Sequence, residues 1–168
     1  GRPSPVTAVT RERALLLVAL LGLATITFTV LEQRSRPPAV LSVQVPVPPN
    51  LRLTSFWSDS AISPDGRLVV AAGARDTGER RLWIWDLGTA ALRDLPETEQ
   101  GFFPAWSPDS RSFVHFRQNV DGLYRADAAG GPSTRLCDAV WGRGASWGRR
   151  DVIVFAPNAT GPLLSIAA

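Results

Sequence analysis

The sequence predicts an all-β fold of about two and a half blades of a β-propeller, preceded by a single transmembrane helix. Three observations predict it. An uncharged apolar run fills residues 14–31. Beyond it, short apolar runs alternate with turn residues every eight to twelve positions. These runs repeat with a period of about 40 to 45 residues, the length of a propeller blade rather than of a helical repeat.

The N-terminal residues 1–13, with GRPSPVTAVT at their start, have the Pro, Ser and Thr content of a linker from an upstream domain. The chain has no methionine, so Gly1 is not a translation start and sequence is expected upstream of it. Residues 14–31 read ALLLVALLGLATITFTVL, bounded by Arg11-Glu12-Arg13 and Glu32-Gln33-Arg34. As a helix this run is about 27 Å long, enough for a bilayer core of about 30 Å with the flanking arginines snorkelling. Thr25, Thr27 and Thr29 can bond back to carbonyls one turn earlier and so cost little in lipid. No small-x-small cleavage site follows, which favours an uncleaved anchor over a signal peptide. A run that is apolar all round also lacks the polar face of a soluble surface helix. Arg2, Arg11 and Arg13 precede it and Arg34 and Arg36 follow, so charge alone decides little about orientation.

Residues 32–50 form a proline-rich linker, in which Val43 to Val47 alternates like an edge strand. The blades occupy 51–168. Ala61-Ile62-Ser63-Pro64-Asp65-Gly66-Arg67 returns 44 residues later as Ala105-Trp106-Ser107-Pro108-Asp109-Ser110-Arg111, and Trp147 to Asp151 repeats its outline 41 residues after that. Leu82-Trp83 is echoed by Leu123-Tyr124 and Leu163-Leu164, Asp86 by Asp127, and Leu95 by Leu136. Ser63, Pro64, Asp65 and Gly66, like Ser107, Pro108 and Asp109, are structural turn residues: proline presets φ, serine bonds forward, and glycine takes the left-handed exit. Ser110 stands where the first copy has that glycine, which predicts strain. The second strands run from Leu68 to Ala72, Phe113 to Phe116 and Val152 to Phe155; the fourth through Leu92 to Leu95 and Ser133 to Leu136.

The Ser-Pro-Asp-Gly/Ser-Arg turn, the apolar strand after it and the Leu-Trp/Tyr strand ending in aspartate resemble the TolB-like, WD-repeat-like (PD40) propellers of bacteria. The order of linker, membrane helix, proline-rich stretch and propeller is similar to the C-terminal half of bacterial transmembrane serine/threonine protein kinases. That resemblance implies a bacterial inner-membrane, single-pass protein with a cytoplasmic kinase and a periplasmic propeller that senses a protein or small-molecule ligand. TolB-like propellers also occur in membrane-bound winged-helix transcription regulators and in prolyl oligopeptidase-like hydrolases, which remain as alternatives.

This chain has no glycine-rich loop, no His-Arg-Asp loop, no Asp-Phe-Gly and no lysine, so kinase chemistry is excluded from it and no enzyme activity is expected. No catalytic, cofactor-binding or metal-binding residue is predicted. His115, the only histidine, lies in a strand in register with Val70 and Phe155 and is read as a sheet-face residue. Asp65 and Asp109 are read as turn caps rather than metal ligands. Cys137 is alone, which excludes an internal disulfide and a Cys/His zinc site. The six tryptophans are assigned to blade packing, and Asn158-Ala159-Thr160 is discounted as a glycosylation signal. A net charge of +3 spread over scattered arginines and fifteen acidic residues does not suit nucleic-acid binding.

Overall fold

The computed structural model describes residues 18–23, 25, 27, 46–53, 60–118 and 120–168. The chain divides into two units, Gly1–Ser42 and Val43–Ala168.

In the first unit the backbone is helical at every described position. The Thr25 hydroxyl donates to the Leu21 and Gly22 carbonyls, and that of Thr27 to Leu23, so these side chains return their polar groups to their own helix. No helix among the described residues is long and apolar enough to cross a membrane. The whole of the predicted linker 1–13, and residues 14–17, 24, 26 and 28–31 of the predicted span 14–31, Thr29 included, lie outside the described residues. So does most of the 43–47 alternation, of which Pro46 and Val47 are described and are not strand.

The second unit is built from antiparallel strands. The first blade contains β1 (Leu51–Leu53), β2 (Ser60–Ile62), β3 (Leu68–Arg75), β4 (Arg80–Asp86) and β5 (Leu92–Leu95). β1 and β2 share one edge of β3, opposite Gly73 to Arg75 and Val69 to Ala71 respectively, and act together as its first strand. A 3-10 turn, Pro96–Thr98, leads to the second blade: β6 (Gly101–Trp106), β7 (Ser112–Arg117), β8 (Gly122–Asp127) and β9 (Thr134–Asp138), in that spatial order. In β6 the register shifts between Phe102 and Ala105, with Phe103 at φ +49°. This bulge occupies the place where the first blade breaks between β1 and β2. Three strands follow, β10 (Ala145–Trp147), β11 (Val152–Phe155) and β12 (Leu164–Ala167).

Alternation along the strands sends each sheet's two faces to different neighbours. Val70, Ala72, Leu82, Ile84 and Leu95 of the first blade form one buried cluster with Trp106, Phe113, Ala126 and Ala128 of the second. Val114, Phe116 and Leu123 on the second blade's other face join Ile153 and Phe155 of the third. Phe113 and Trp106 meet edge to face, with ring centroids 5.5 Å apart.

The register corrects one sequence assignment. Val70 faces Ala61 and Val114 faces Ala105, so Val114 is the equivalent of Val70, while His115 corresponds to Ala71 and Phe155. The third repeat differs at its turn. Gly148 N–H donates to Val152 O, four residues on, where Ser63 and Ser107 reach Leu68 and Ser112, five residues on. One residue has been lost from that hairpin.

Candidate functional site

The turns that the sequence singles out all lie at the β2–β3, β6–β7 and β10–β11 connections. Gly66 N–H donates to Ser63 O at 2.8 Å, Ser110 to Ser107 O at 3.1 Å and Asp151 to Gly148 O at 3.2 Å. The fourth residue of each turn is left-handed, Gly66 at φ +71°, Ser110 at +62° and Asp151 at +54°. Only the first copy uses the residue that adopts this region without steric cost.

Serine and aspartate close the first two turns from within. Ser63 Oγ donates to Asp65 Oδ1 at 2.6 Å and accepts from Leu68 N–H, while Arg67 N–H donates to the same carboxylate oxygen. Ser107 and Asp109 repeat this, with Ser112 N–H and Arg111 N–H as the donors. The serine hydroxyl first, and the backbone N–H second, hold each aspartate below the usual carboxylate range. Pro64 and Pro108 occupy the second turn position, where a fixed φ is required and no N–H is needed.

Ser110 has a second role, which the sequence did not disclose. Its hydroxyl accepts the Asp65 N–H at 3.1 Å and ties the first turn to the second across the blade interface. Trp106 makes a parallel link: its Nε1–H donates to Ala61 O at 3.0 Å. The equivalent Trp147 has a buried Nε1 with no hydrogen-bond partner. It lies instead under Arg125, whose guanidinium carbon is 5.3 Å from the ring centroid.

His115 is fully buried between Phe113 and Tyr124. Burial pushes its pKa down to about 3, so the imidazole is neutral. Nδ1 is 3.3 Å from Phe116 O and Nε2 is 3.5 Å from Ser133 Oγ, but the Ser133 hydroxyl donates to Glu97 O at 2.9 Å. Its proton is directed away from the imidazole, so this pair does not form an activated nucleophile. Cys137 is partly buried, and burial raises its thiol pKa, which keeps it protonated. Among the described residues no three His, Cys, Asp or Glu side chains converge as a metal site.

Two open clefts follow the blade interfaces. One, of about 330 Å³, lies between blades two and three and is lined by Ser107, Asp109, Ser112, Arg125, Arg149 and Asp151, among others. Ser112 Oγ donates to Asp127 at 2.7 Å and fixes its polar wall. The other, of about 520 Å³, lies between blades one and two and includes Leu68, Arg93, Arg111 and Asp127. His115 lines neither. On the first blade's opposite face, Asp94 receives Arg81 at 3.1 Å and Arg75 at 3.3 Å, with Arg75 stacked on Trp83. That network and the Arg125–Trp147 pair join residues from separate strands without a local motif, so sequence reading missed them.

No known family profile matches the chain, and no curated protein sequence matches it either. Solved structures do. A putative TolB from Agrobacterium tumefaciens superposes with a TM-score of 0.54 at 24% identity, covering 67% of this chain and 43% of that one. Hydrazine synthase of Kuenenia stuttgartiensis gives 0.53 at 15%, covering 68% and 35%. The β-propeller domain of the Trilobed protease from Pyrococcus furiosus, described as having an open velcro topology, gives 0.50 at 20%, covering 66% and 35%. This chain spans less than half the length of each. At these identities the likeness concerns fold alone: the second unit consists of β-propeller blades of the TolB-like type.

Proposed function

We propose that the blades are an interaction module of a membrane-anchored bacterial signalling protein, held at the inner membrane by residues 14–31 and exposed on the periplasmic side. The observation that carries this reading is the use of the candidate residues. Every Ser-Pro-Asp side-chain hydrogen bond is spent on closing a turn or joining blades, and the one histidine is buried and neutral. Such a scaffold presents surfaces and clefts rather than a reacting group. The order of anchor, proline-rich linker and propeller supports a serine/threonine kinase as the cytoplasmic partner domain, with the propeller relaying occupancy by a protein or small molecule.

Two measurements test it. A reporter fused after Ala168 should be active only if it functions in the periplasm, and cytoplasmic activity rejects the topology. The complete reading frame should encode kinase motifs upstream of residue 1; a basic recognition helix there would instead indicate a winged-helix regulator. The likeness to a protease propeller keeps a hydrolase as the second reading, and a Gly-x-Ser-x-Gly domain downstream would favour it.

A further inference from the structure

The two blade interfaces share one register but are sealed differently. Leu68 faces Asp86 and Val70 faces Ile84 across β3 and β4; Ser112 faces Asp127 and Val114 faces Arg125 across β7 and β8. Ser112 and Arg125 therefore stand where the first blade has Leu68 and Ile84. In the first interface Leu68 and Ile84 pack into one apolar cluster with Trp106, and the Trp106 and Ser110 hydrogen bonds tie the blades together. In the second, Trp147 is left half-buried with its Nε1–H unpartnered. Among the described residues Asp151, at the place of Ser110, makes no side-chain tie to the neighbouring turn. The cleft of about 330 Å³ opens along this unsealed line.

The charges in this cleft are unspent. A guanidinium brought between two sheets loses hydration that an isoleucine at the same position never needed. Among the described residues Arg125 donates only to the Ser112 hydroxyl, at 3.4 Å, and that hydroxyl gives its own proton to Asp127. Stacking on Trp147 orients the guanidinium without neutralising it. Among the same residues neither Arg125 nor Arg149 is ion-paired, and the Asp151 carboxylate has no partner. Asp109, the other acid on the wall, holds its own turn closed through Oδ1. Arg125 and Arg149 against Asp109 and Asp151 leave the charged side chains of the cleft balanced. Such a lining suits neither a plain anion nor a plain cation, but a ligand that carries both signs.

A volume of about 330 Å³ falls at the lower end of small-molecule sites. Arginine's planar fork matches a carboxylate through paired N–H donors, and a carboxylate is the natural partner of an ammonium. Both signs lie within one small cleft, so the ligand holds its charges close together, as a free amino acid does; a peptide's termini are kept apart by its length. Building on the interaction-module reading, whose ligand class this names, we propose that the cleft between blades two and three binds a free amino acid, with its carboxylate on Arg125 and Arg149 and its ammonium on Asp151.

The test titrates the full chain in mild detergent with a panel of the common L-amino acids by isothermal calorimetry. At least one should bind, and its methyl ester and its N-acetyl derivative, which each remove one charge, should bind at least tenfold more weakly. Arg125→Ile, which installs the first interface's residue, should weaken the amino acid at least tenfold without lowering the thermal melt, and should make acid and ester bind alike. Asp151→Asn, which suits the left-handed backbone there, should weaken it several-fold and make the free and N-acetylated forms bind alike. Arg149→Gln should weaken it several-fold; this variant and Asp151→Asn change exposed side chains and decide the matter if Arg125→Ile proves destabilised. No binding by any amino acid, an ester as tight as its acid, or affinities unchanged in all three variants would each overturn the assignment. Inorganic phosphate binding more tightly than every amino acid would also overturn it, by making the cleft a plain anion site. The interaction-module reading fails separately, on the reporter fusion and the complete reading frame.

Discussion

Lowering the pH should destabilise the second unit through one side chain. His115 is the only histidine, and its pKa falls from an unfolded value of about 6.5 to about 3 in the fold. Because the folded pKa is depressed, the unfolded chain binds the proton first. Stability is therefore full above pH 6.5 and is lost progressively as pH falls from there towards 3. Each pH unit in that window costs about 1.4 kcal/mol, so between pH 6.5 and 4.5 the loss should be about 2–3 kcal/mol. Asp65, Asp86 and Asp109, whose pKa values are lowered by turn hydrogen bonds, lose their contributions only below the unfolded carboxylate range near pH 4. The two windows are separable. Urea unfolding of the full chain in detergent, followed by tryptophan fluorescence, should show the midpoint falling from pH 7 to 4.5, and His115→Leu should flatten that slope. An equally steep slope in His115→Leu would refute the reasoning and place the titration elsewhere.

Three further outcomes follow from the packing. Trp106→Phe keeps an aromatic ring but removes part of the buried indole and leaves Ala61 O without its donor, and should cost at least about 1–3 kcal/mol in urea unfolding. Gly142→Ala sets a methyl against the fully buried Phe116 ring and should cost at least about 1–3 kcal/mol, measured in the same way. A chain cut to residues 37–168 should bind hydrophobic dye and aggregate, because its end faces are uncovered: Ile62 is 65% exposed where its equivalent Trp106 is buried, and Val154 is 39% exposed where Val70 and Val114 are fully buried. A reversible, concentration-independent melt without dye binding would contradict this last expectation.

The propeller architecture was legible because its signals are local. Alternating residues such as Val152 to Phe155 and the breakers Ser63-Pro64-Asp65-Gly66 define strands and hairpins within a few positions, and recurrence near 40 to 45 residues identifies blades. Register was harder. The first repeat is interrupted between Leu53 and Ser60, the second carries a bulge at Phe103-Pro104, and the third has lost a turn residue, so counting from one landmark misplaced His115 by one position against Val70. A one-residue slip reverses the face. The contacts between blades were not legible at all: the acceptance of Asp65 N–H by Ser110 joins residues 45 apart, and only stacking brings them together.

The central claim is that consecutive repeats stack face to face as propeller blades, with their Ser-Pro-Asp turns side by side. Asp65→Cys with Ser110→Cys in a Cys137→Ser background, treated with a short bismaleimide, tests it most directly, since the Asp65 backbone N–H lies 3.1 Å from the Ser110 side-chain oxygen. The stacked arrangement predicts an efficient intramolecular crosslink, independent of protein concentration, and little crosslinking between positions 65 and 151, which belong to the first and third blades. Equal yields for the two pairs, or a crosslink that forms only between molecules, would contradict it.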